Sequence, residues 1–428
     1  MQNLAINVKL SLLATAVVAG LSGCVLEGDD GQNGVDGAPG TKGVDGQSGQ
    51  DGKSLPRELA IEVVGRFAAG GVEIYGKSAA EIVQFHSRSK SAFAVNSATS
   101  QIDVINLTSL PMVPVGNAIT DTSLSSQAFS YPSSVTVKDA DGLNQTLALG
   151  IANSIAIYAD MLAIAVEAAV KTDVGAVLFY RLDALGQGTF VKAVTADALP
   201  DMVVFSPDGK MALVANEGEP DTDFSIDPQG SISKIIITDD IPADVATTIN
   251  MTTDMVFSSD NLSAEDYDTD AKRKALLQLS GVKFANLAGS TVAQELEPEY
   301  ITFSADGTKA YVSLQESNAI GIIDTLNNSI EVRGLGFKDW SKFQLDFSNK
   351  DEVPNFQSVA GLYGMYQPDT ISSYTWNGAS FILSANEGDS RDWDAYSEEI
   401  RVRDIVDQDK LNMIIHCFAG SIRRQRRT

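Results

Sequence analysis

The chain has 428 residues, 44% hydrophobic and 20% charged, so it is long enough for one large globular domain or two ordinary ones. Its formal net charge is −25, from 56 acidic and 31 basic residues, which argues against a nucleic-acid partner because a polyanion would be repelled. Only two cysteines, Cys24 and Cys417, and two histidines, His86 and His416, are present, which excludes a disulfide scaffold.

Residues 1–23 have the features of a secretory signal peptide. Lys9 supplies a positive charge, and the apolar run Leu10–Gly20 is shorter than the about 20 residues that a spanning helix needs. The tetrapeptide Leu21-Ser22-Gly23-Cys24 resembles a lipobox, which predicts a lipid anchor on Cys24 and hence the membrane as a partner. Val25, rather than an inner-membrane retention aspartate, follows the cysteine, which favours the outer membrane, facing the periplasm or the exterior. An uncleaved anchor, or a plain secretory signal with a chance cysteine, is the alternative.

Residues 24–54 form the predicted stalk. Glycine stands at every third position from Gly28 to Gly52, in nine consecutive Gly-x-y triplets that end at Ser54. Only glycine fits the crowded axis of a triple helix, so this period predicts a collagen-like stem that would make the protein a trimer. Pro39 is the single proline in the repeat, however, and a flexible acidic spacer is the second interpretation.

Residues 55–407 contain short β-rich runs separated by turn residues, and one strand–turn–strand unit recurs. Its clearest copy has strands at Pro200–Phe205 and Met211–Asn216 around a Ser-Pro-Asp-Gly-Lys turn, in which Gly209 permits the positive φ that ends the turn. Further copies are recognised at the following places: Glu297–Ser313 with a third strand at Ala319–Asp324, Gln367–Ala385, Ala80–Ile105 and, least clearly, Ser154–Tyr180.

These repeats predict an all-β fold, a β-propeller of four-stranded blades, because each blade has apolar faces that only its neighbours can cover. A generic β-sandwich is the alternative. The spacing of the copies is uneven, and Asp270–Leu279 is predicted to be a small helical insertion, with Ser263 and Asp266 as a capping box upstream.

Five longer strings carry a family resemblance: Leu199–Gly209, Ala215–Pro220, Glu297–Tyr300, Gly364–Asp369 and Ala385–Asp389. They resemble the choice-of-anchor I domain, over roughly Glu58–Asp404. That family is similar to YVTN-type bacterial surface propellers and to mesenchyme-specific cell-surface glycoproteins. Its members are often labelled alkaline phosphatase, without the usual phosphatase signature. The resemblance therefore implies a propeller at the cell surface and leaves the activity open.

Residues 408–428 break this pattern. The apolar run Met413–Phe418 is followed by four arginines between Arg423 and Arg427, which inverts the local charge. A frameshifted or truncated gene and a genuine basic tail are both open interpretations. A truncated, incomplete propeller would expose strand edges and an apolar blade face, which predicts marginal stability or aggregation.

Two acidic loops follow strands at equivalent places in their blades. Clustered carboxylates with glycine at the bends suit a hard cation such as Ca²⁺, which takes about six to eight oxygen ligands. The alternative is that these are solvated turn acids. The candidate metal ligands are Glu217, Glu219, Asp221 and Asp223 in the first loop and Glu387, Asp389 and Asp392 in the second.

Three carboxylates, Asp201, Glu299 and Asp369, each follow a proline at the predicted start of a blade's first clear strand. Because innermost strands start near the channel of a propeller, these acids are candidates for its mouth. The plainer interpretation is that proline begins a strand where no N–H is needed and that the acid accepts a hydrogen bond from a nearby backbone N–H.

The shortage of histidine weighs against most hydrolytic chemistry. His86 is the only histidine outside residues 408–428, too few for zinc-type phosphatase sites, and no nucleophile-elbow motif accompanies it. The preferred hypothesis is a lipid-anchored surface propeller that binds an unidentified surface ligand or protein, or acts as a scaffold, with structural calcium. A calcium-dependent phosphoesterase is the alternative and the only enzyme class worth testing.

Overall fold

The computed structural model describes residues 61–400, apart from 71–76, 78, 112, 260, 286, 288, 349 and 394. The predicted signal peptide, the lipid anchor on Cys24, the Gly-x-y stalk and the basic tail of residues 408–428 lie outside the described residues. In the described ranges, no helix is both long and apolar enough to cross a membrane.

The first sheet, blade 1, is a four-stranded antiparallel meander. Phe93 and Ile102 lie on its two central strands and are fully buried, as the alternation of apolar residues there predicts. A 3₁₀ turn, Ser97–Thr99, links those two strands. The strands are β1 (Val83–His86), β2 (Ser91–Asn96), β3 (Gln101–Asn106) and β4 (Ser126–Phe129).

Blade 2 has five strands: β5 (Ser134–Lys138), β6 (Asn144–Tyr158), β7 (Met161–Ala168), β8 (Val174–Leu182) and β9 (Gly188–Ala198). Strand β6 is bulged between Leu149 and Ser154, so its first part pairs with β5 and its second part with β7. The turn between β6 and β7 takes its positive φ of 50° at Ala159 instead of at a glycine. Because no glycine marks this turn, the blade gives the weakest turn signal in the sequence.

Blade 3 begins at the recurring unit with β10 (Pro200–Phe205), β11 (Met211–Asn216) and β12 (Ser231–Thr238). The short strands β13 (Ile241–Pro242) and β14 (Thr247–Asn250) both pair with β12. The predicted turn is confirmed, because Gly209 has a φ of 70° and Asp208 accepts a hydrogen bond of 2.7 Å from the Ser206 hydroxyl.

An insertion separates blade 3 from blade 4 and contains α1 (Asp270–Leu279), with the predicted bounds, and α2 (Val292–Glu295). The Thr269 hydroxyl accepts a hydrogen bond from the Lys272 N–H and so caps α1. Upstream, a 3₁₀ turn over Ala264–Asp266 carries the predicted capping box, in which the Asp266 carboxylate accepts a hydrogen bond of 2.8 Å from the Ser263 N–H.

Blade 4 is a four-stranded meander of β15 (Ile301–Phe303), β16 (Lys309–Leu314), β17 (Ala319–Asp324) and β18 (Ser329–Gly334). Its first turn repeats that of blade 3, since Gly307 also has a φ of 70° and Asp306 accepts a 2.7 Å hydrogen bond from Ser304. The expectation that this blade starts at Pro298-Glu299 is wrong by three residues. The positive φ of 27° at Glu297 delays the regular ladder until Ile301, although the Glu299 N–H already donates to the Ser313 carbonyl.

The remaining described chain forms two-stranded units, so the expectation of four-stranded blades holds for blades 1 and 4 only. The hairpin of β23 and β24, described next, leaves Trp376 64% and Leu383 60% exposed. The units are β19 (Lys338–Asp339) with β22 (Tyr363–Gly364), β20 (Leu345–Asp346) with β21 (Phe356–Gln357), β23 (Pro368–Trp376) with β24 (Ala379–Asn386), and β25 (Asp392–Trp393) with β26 (Tyr396–Ser397).

The sheets follow one another around a common axis. Their innermost strands contact each other in chain order, β1 with β6, β6 with β10, β10 with β15 and β15 with β23. Separate apolar layers fill the gaps between blades 1 and 2, 2 and 3, and 3 and 4. Phe179 and Phe205, for example, pack edge to face with centroids 6.4 Å apart across the second gap. This serial burial confirms the propeller and excludes a sandwich with one shared core.

Candidate binding site at the channel mouth

Two kinds of acidic position recur where the innermost strands begin. The first lies at or just before the start of an innermost strand and comprises Glu81, Asp201, Glu299 and Asp369. The second directly follows the second strand, in the dipeptides Asn216-Glu217, Gln315-Glu316 and Asn386-Glu387. Antiparallel pairing sets Pro200 opposite Asn216 and Pro368 opposite Asn386, so both kinds of acid lie at the same edge of each sheet. Glu316 was not among the predicted site residues, although the repeated amide–Glu dipeptide was a signal for it.

A cavity of about 380 Å³ opens at this edge. Each of blades 1 to 4 and the β23–β24 hairpin borders it with a residue on, or just before, its innermost strand. These residues are Glu81, Asn153, Asp201, Tyr300 and Asp369. Asp201 and Asp369, two of the three candidates for the channel mouth, therefore face one space. Glu299, the third, is 9% exposed, and the charge of Asp201 contributes to the rise of its pKa.

A second cavity, of about 190 Å³, lies against the two acidic loops and is called here the loop cavity. Arg391 is the only basic residue among those that line it. The lining residues are Glu217, Glu219, Glu297, Glu316, Asp389, Ser390, Arg391, Asp392 and Trp393.

Burial is the first cause of the electrostatic state of these acids. Burial first, and then the negative charges of Glu81 and Glu219, raise the pKa of Asp201 to about 7. Burial likewise raises the pKa of Glu217 well above its usual value, with the charges of Glu219 and Asp201 next in order. The pKa of Glu299 is also raised well above normal by burial. Near neutral pH this cluster therefore holds protons or must be neutralised by cations.

Arg391 provides part of that neutralisation. It is 2% exposed, and its Nη2 donates to the Glu297 carboxylate and, at 2.7 Å, to the Glu295 carbonyl oxygen. Burial still raises the pKa of Glu297 to about 8, although the Arg391 charge opposes the rise. Although Asp389 and Asp392 are near it in sequence, Arg391 forms its ion pair with Glu297, in the loop before blade 4.

The first acidic loop has two functions in the structure. Glu217 and Glu219 line the loop cavity, where Glu219 also forms an ion pair with Lys171. Asp221 and Asp223 instead stabilise the turn itself. Asp221 accepts from the N–H groups of Ser225 at 2.7 Å and Ile226 at 3.0 Å, and Asp223 accepts from the Ser225 N–H at 3.1 Å.

The second acidic loop is divided between the two cavities. Glu387 borders the larger cavity, whereas Asp389 and Asp392 line the loop cavity. The Gln315 amide of blade 4 contacts Glu387 in one orientation, with its nitrogen 3.3 Å from the carboxylate. In the flipped orientation that nitrogen donates instead to Glu299 at 2.8 Å. Glu217 and Glu387 thus lie at one end of the molecule, as the equivalent positions of the loops predict.

The carboxylates do not form a ready metal cage. Within the part of the chain that the structure describes, no three Asp, Glu, His or Cys side chains are arranged so as to hold a metal ion. A cation would have to draw several of these oxygens together, in competition with protons.

His86 lies between a serine and an aspartate, an arrangement that sequence analysis did not foresee. Its Nδ1 is 2.8 Å from the Ser89 hydroxyl, and its Nε2 is 3.1 Å from Asp160, which also pairs with Arg88 at 2.6 Å. His86 is 1% and Ser89 5% exposed, so a substrate has no access to the hydroxyl. The group joins the first turn of blade 1 to the β6–β7 turn of blade 2, which is a structural role.

Comparisons with known proteins agree with this description. The model of the choice-of-anchor I domain family matches residues 81–423, about four fifths of the chain. No curated protein matches it significantly.

Three solved structures illustrate the similarity. A protein from Lactobacillus plantarum is 14% identical with a TM-score of 0.34, covering 59% of this chain and 56% of its own, so this chain spans little more than half of its length. The β-propeller domain of Cps50 (Swd1) from Myceliophteria thermophila is 8% identical with a TM-score of 0.34, covering 68% of this chain and 73% of its own. The calcium-binding protein regucalcin from Agrobacterium tumefaciens is 13% identical with a TM-score of 0.29, covering 69% of this chain and 78% of its own.

Proposed function

The chain belongs to the choice-of-anchor I domain family, and from that premise we propose that it is a cell-surface propeller that binds through the acidic mouth of its channel, where it takes up a divalent cation of the calcium type. The observation that carries the proposal is the convergence of two acids from each of three successive units on one edge of the sheets. Hard cations prefer such carboxylate and amide oxygens.

The charge imbalance supports the uptake of a cation. Six carboxyl groups and one guanidinium line the loop cavity, and Lys171 adds one further ion pair at its border. Of these acids, Glu297 and Glu316 are buried, Glu217 and Glu219 are half-buried, and Asp389 and Asp392 are exposed. Like charges held together at the buried end destabilise the folded protein unless protons or cations neutralise them. A calcium ion that replaced protons at Glu217 and Asp201 would remove that penalty and would hold the loops of blade 3 against the neighbouring blades.

The test is the thermal stability of the full chain in EDTA and in millimolar CaCl₂ at pH 8. Calcium at about 100 times its dissociation constant adds about 2.7 kcal/mol to the stability, or roughly 5 °C in melting temperature for a domain of this size. Glu217→Gln should reduce that shift by at least half. The matched control Glu265→Gln changes an exposed acid of the insertion and should leave it intact. A shift that is absent in the parent protein, or equal in both variants, would refute the proposal.

The attachment of the module is part of the same proposal. Cys24 carries the lipid that holds the protein at the outer membrane, and residues 24–54 space the propeller from the lipid surface, either as a trimeric stem or as a flexible linker. The calcium-dependent phosphoesterase stays an alternative prediction that would use the same cation. Turnover of p-nitrophenyl phosphate that disappeared both with EDTA and in Glu217→Gln would favour it over a binding module.

A further inference from the structure

The outer edge of β24 has no partner strand among the described residues. β24 pairs with β23 on one side only, whereas the second strands of blades 1, 3 and 4 are paired on both sides. Their outer partners are the third strands β3, β12 and β17. β24 contains no charged residue and no proline, which are the usual protection of a free edge. Its row of open N–H and C=O groups is therefore ready to receive another strand.

The loop that follows β24 repeats the loop that follows β11. Both start with the sequence Ala-Asn-Glu-Gly, in which the asparagine is the last residue of the strand. In blade 3 the third strand begins at Ser231, which comes 15 positions after Asn216. The same distance from Asn386 leads to Arg401, the residue directly after the described part of the chain. A third strand for β24 is therefore expected to begin at Arg401.

The residues from position 401 also have the apolar pattern of β12. Hydrophobic residues stand at the second, fifth and sixth positions of both segments. They are Ile232, Ile235 and Ile236 in β12, and Val402, Ile405 and Val406 in the later segment. All six are β-branched and favour a strand. The family match, which continues to residue 423, includes these positions.

The charge of this segment complements the edge of the sheet at which it would begin. In blade 3, Ser231 pairs with Asn216 at the edge where the acids of the channel mouth converge. The same register sets Arg401 opposite Asn386, next to Glu387. The described residues that line the larger cavity include four acids and no lysine or arginine. Arg401 and the nearby Arg403 would thus bring positive charge to an acidic edge.

We propose that Arg401–Val406 docks antiparallel on the free edge of β24 as the third strand of this unit, in the register of β12 on β11. Since Ala212 lies opposite Ile235 in blade 3, Ile405 lies opposite Ile382 here. The added strand covers the open backbone groups of β24 and fixes the loop that carries Glu387 to the channel mouth. This docking does not depend on the cation of the proposed function.

The experiment is disulfide trapping in the full chain, with Cys24 and Cys417 replaced by alanine so that only introduced thiols remain. The test pair is Ile382→Cys with Ile405→Cys, and the control pair is Ile382→Cys with Asp404→Cys. Under oxidised glutathione, the test pair should close within one chain at least about tenfold faster, because a shift of one residue turns the second thiol to the other face of the sheet. Non-reducing electrophoresis and peptide mass spectrometry identify the bond.

Hydrogen exchange of the β24 amides gives a second measurement without new thiols. Val402→Pro removes an N–H inside the proposed strand, so the outward amides of β24 should exchange at least about tenfold faster than in the parent protein. Ile414→Pro, in the apolar run beyond the proposed strand, should leave their exchange unchanged.

Three results would overturn the docking. The two cysteine pairs close at equal rates, the test pair links two chains instead of one, or Ile414→Pro exposes the β24 amides while Val402→Pro does not. The second result would assign the edge to another copy of the chain, and the third would assign it to Met413–Phe418. Because both measurements are made in EDTA, a failure of the calcium experiment leaves them unaffected.

Discussion

Asp201→Asn tests whether the acids at the channel mouth oppose folding when they are ionised. The folded protein raises the pKa of Asp201 from 3.8 to about 7, first by burial and then by the charges of Glu81 and Glu219. Folding therefore binds a proton at this carboxyl between these pH values, so stability is lost as the pH rises from about 4 to about 7. Asparagine keeps the shape of the side chain and removes the charge.

The size of the effect follows from that pKa. A difference of about three pH units corresponds to at most about 4 kcal/mol, at about 1.4 kcal/mol per pH unit. Solvent reaches part of the Asp201 side chain and screens it, so we expect Asp201→Asn to stabilise the protein by about 1–2 kcal/mol at pH 8 and by little at pH 4.

Urea unfolding in EDTA, followed by circular dichroism between pH 4 and pH 8, measures this difference. Asp208→Asn is the control with the opposite sign, because hydrogen bonds from Ser206 and Lys210 lower the pKa of Asp208. The lowered pKa of Asp208 lies below its ordinary value of 3.8, so that variant should lose stability by a similar amount across the whole of this pH range. Destabilisation by Asp201→Asn at pH 8, or an effect independent of pH, would contradict the reasoning.

Three further predictions concern the framework and the anchor. His86→Ala should lower the free energy of unfolding by about 1–3 kcal/mol and leave the calcium shift unchanged, since this side chain joins two blades without access to ligand. Gly218→Ala should cost about 1–3 kcal/mol and weaken calcium binding, because φ is 73° and a Cβ would lie 2.7 Å from the Gln229 backbone; Gly378→Ala, with φ of 78° and open space, should cost about 1 kcal/mol. Cys24→Ala should abolish lipid labelling and partition into detergent, and unchanged partition would exclude the lipid anchor.

Short-range signals predicted the local structure well. The Ser-x-Asp-Gly turns at Gly209 and Gly307 are confirmed, and so are the bounds of α1, because each depends on residues within one turn of chain. Blade 2 was the weakest prediction, although it contains β6, which at 15 residues is the longest strand of the described chain. Its β6–β7 turn has Ala159, not a glycine, at the position of positive φ. Strand β7 is buried along nearly its whole length, so it lacks the alternation of apolar and polar residues that marks a strand in the sequence.

The charge pairing at the site was beyond short-range signals. Arg391 bonds to Glu297, 94 positions away, and only the neighbouring blades bring these loops together. The position of Glu316 was within reach of the sequence, since Gln315-Glu316 repeats the place of Asn216-Glu217 at the end of a second strand. The bonds of Arg391 Nη2 to the Glu295 carbonyl and the Glu297 carboxylate had no sequence signal, because they form only once the blades have assembled.

The repetition of the same acidic positions from one unit to the next makes the mouth a modular construction. The number of oxygens available there is set by how many units stand side by side, and the loss of one acid leaves equivalent acids in the adjacent units. Affinity at such a rim should therefore decline in steps as acids are removed one unit at a time. A pocket built from a single loop would instead fail at the first substitution.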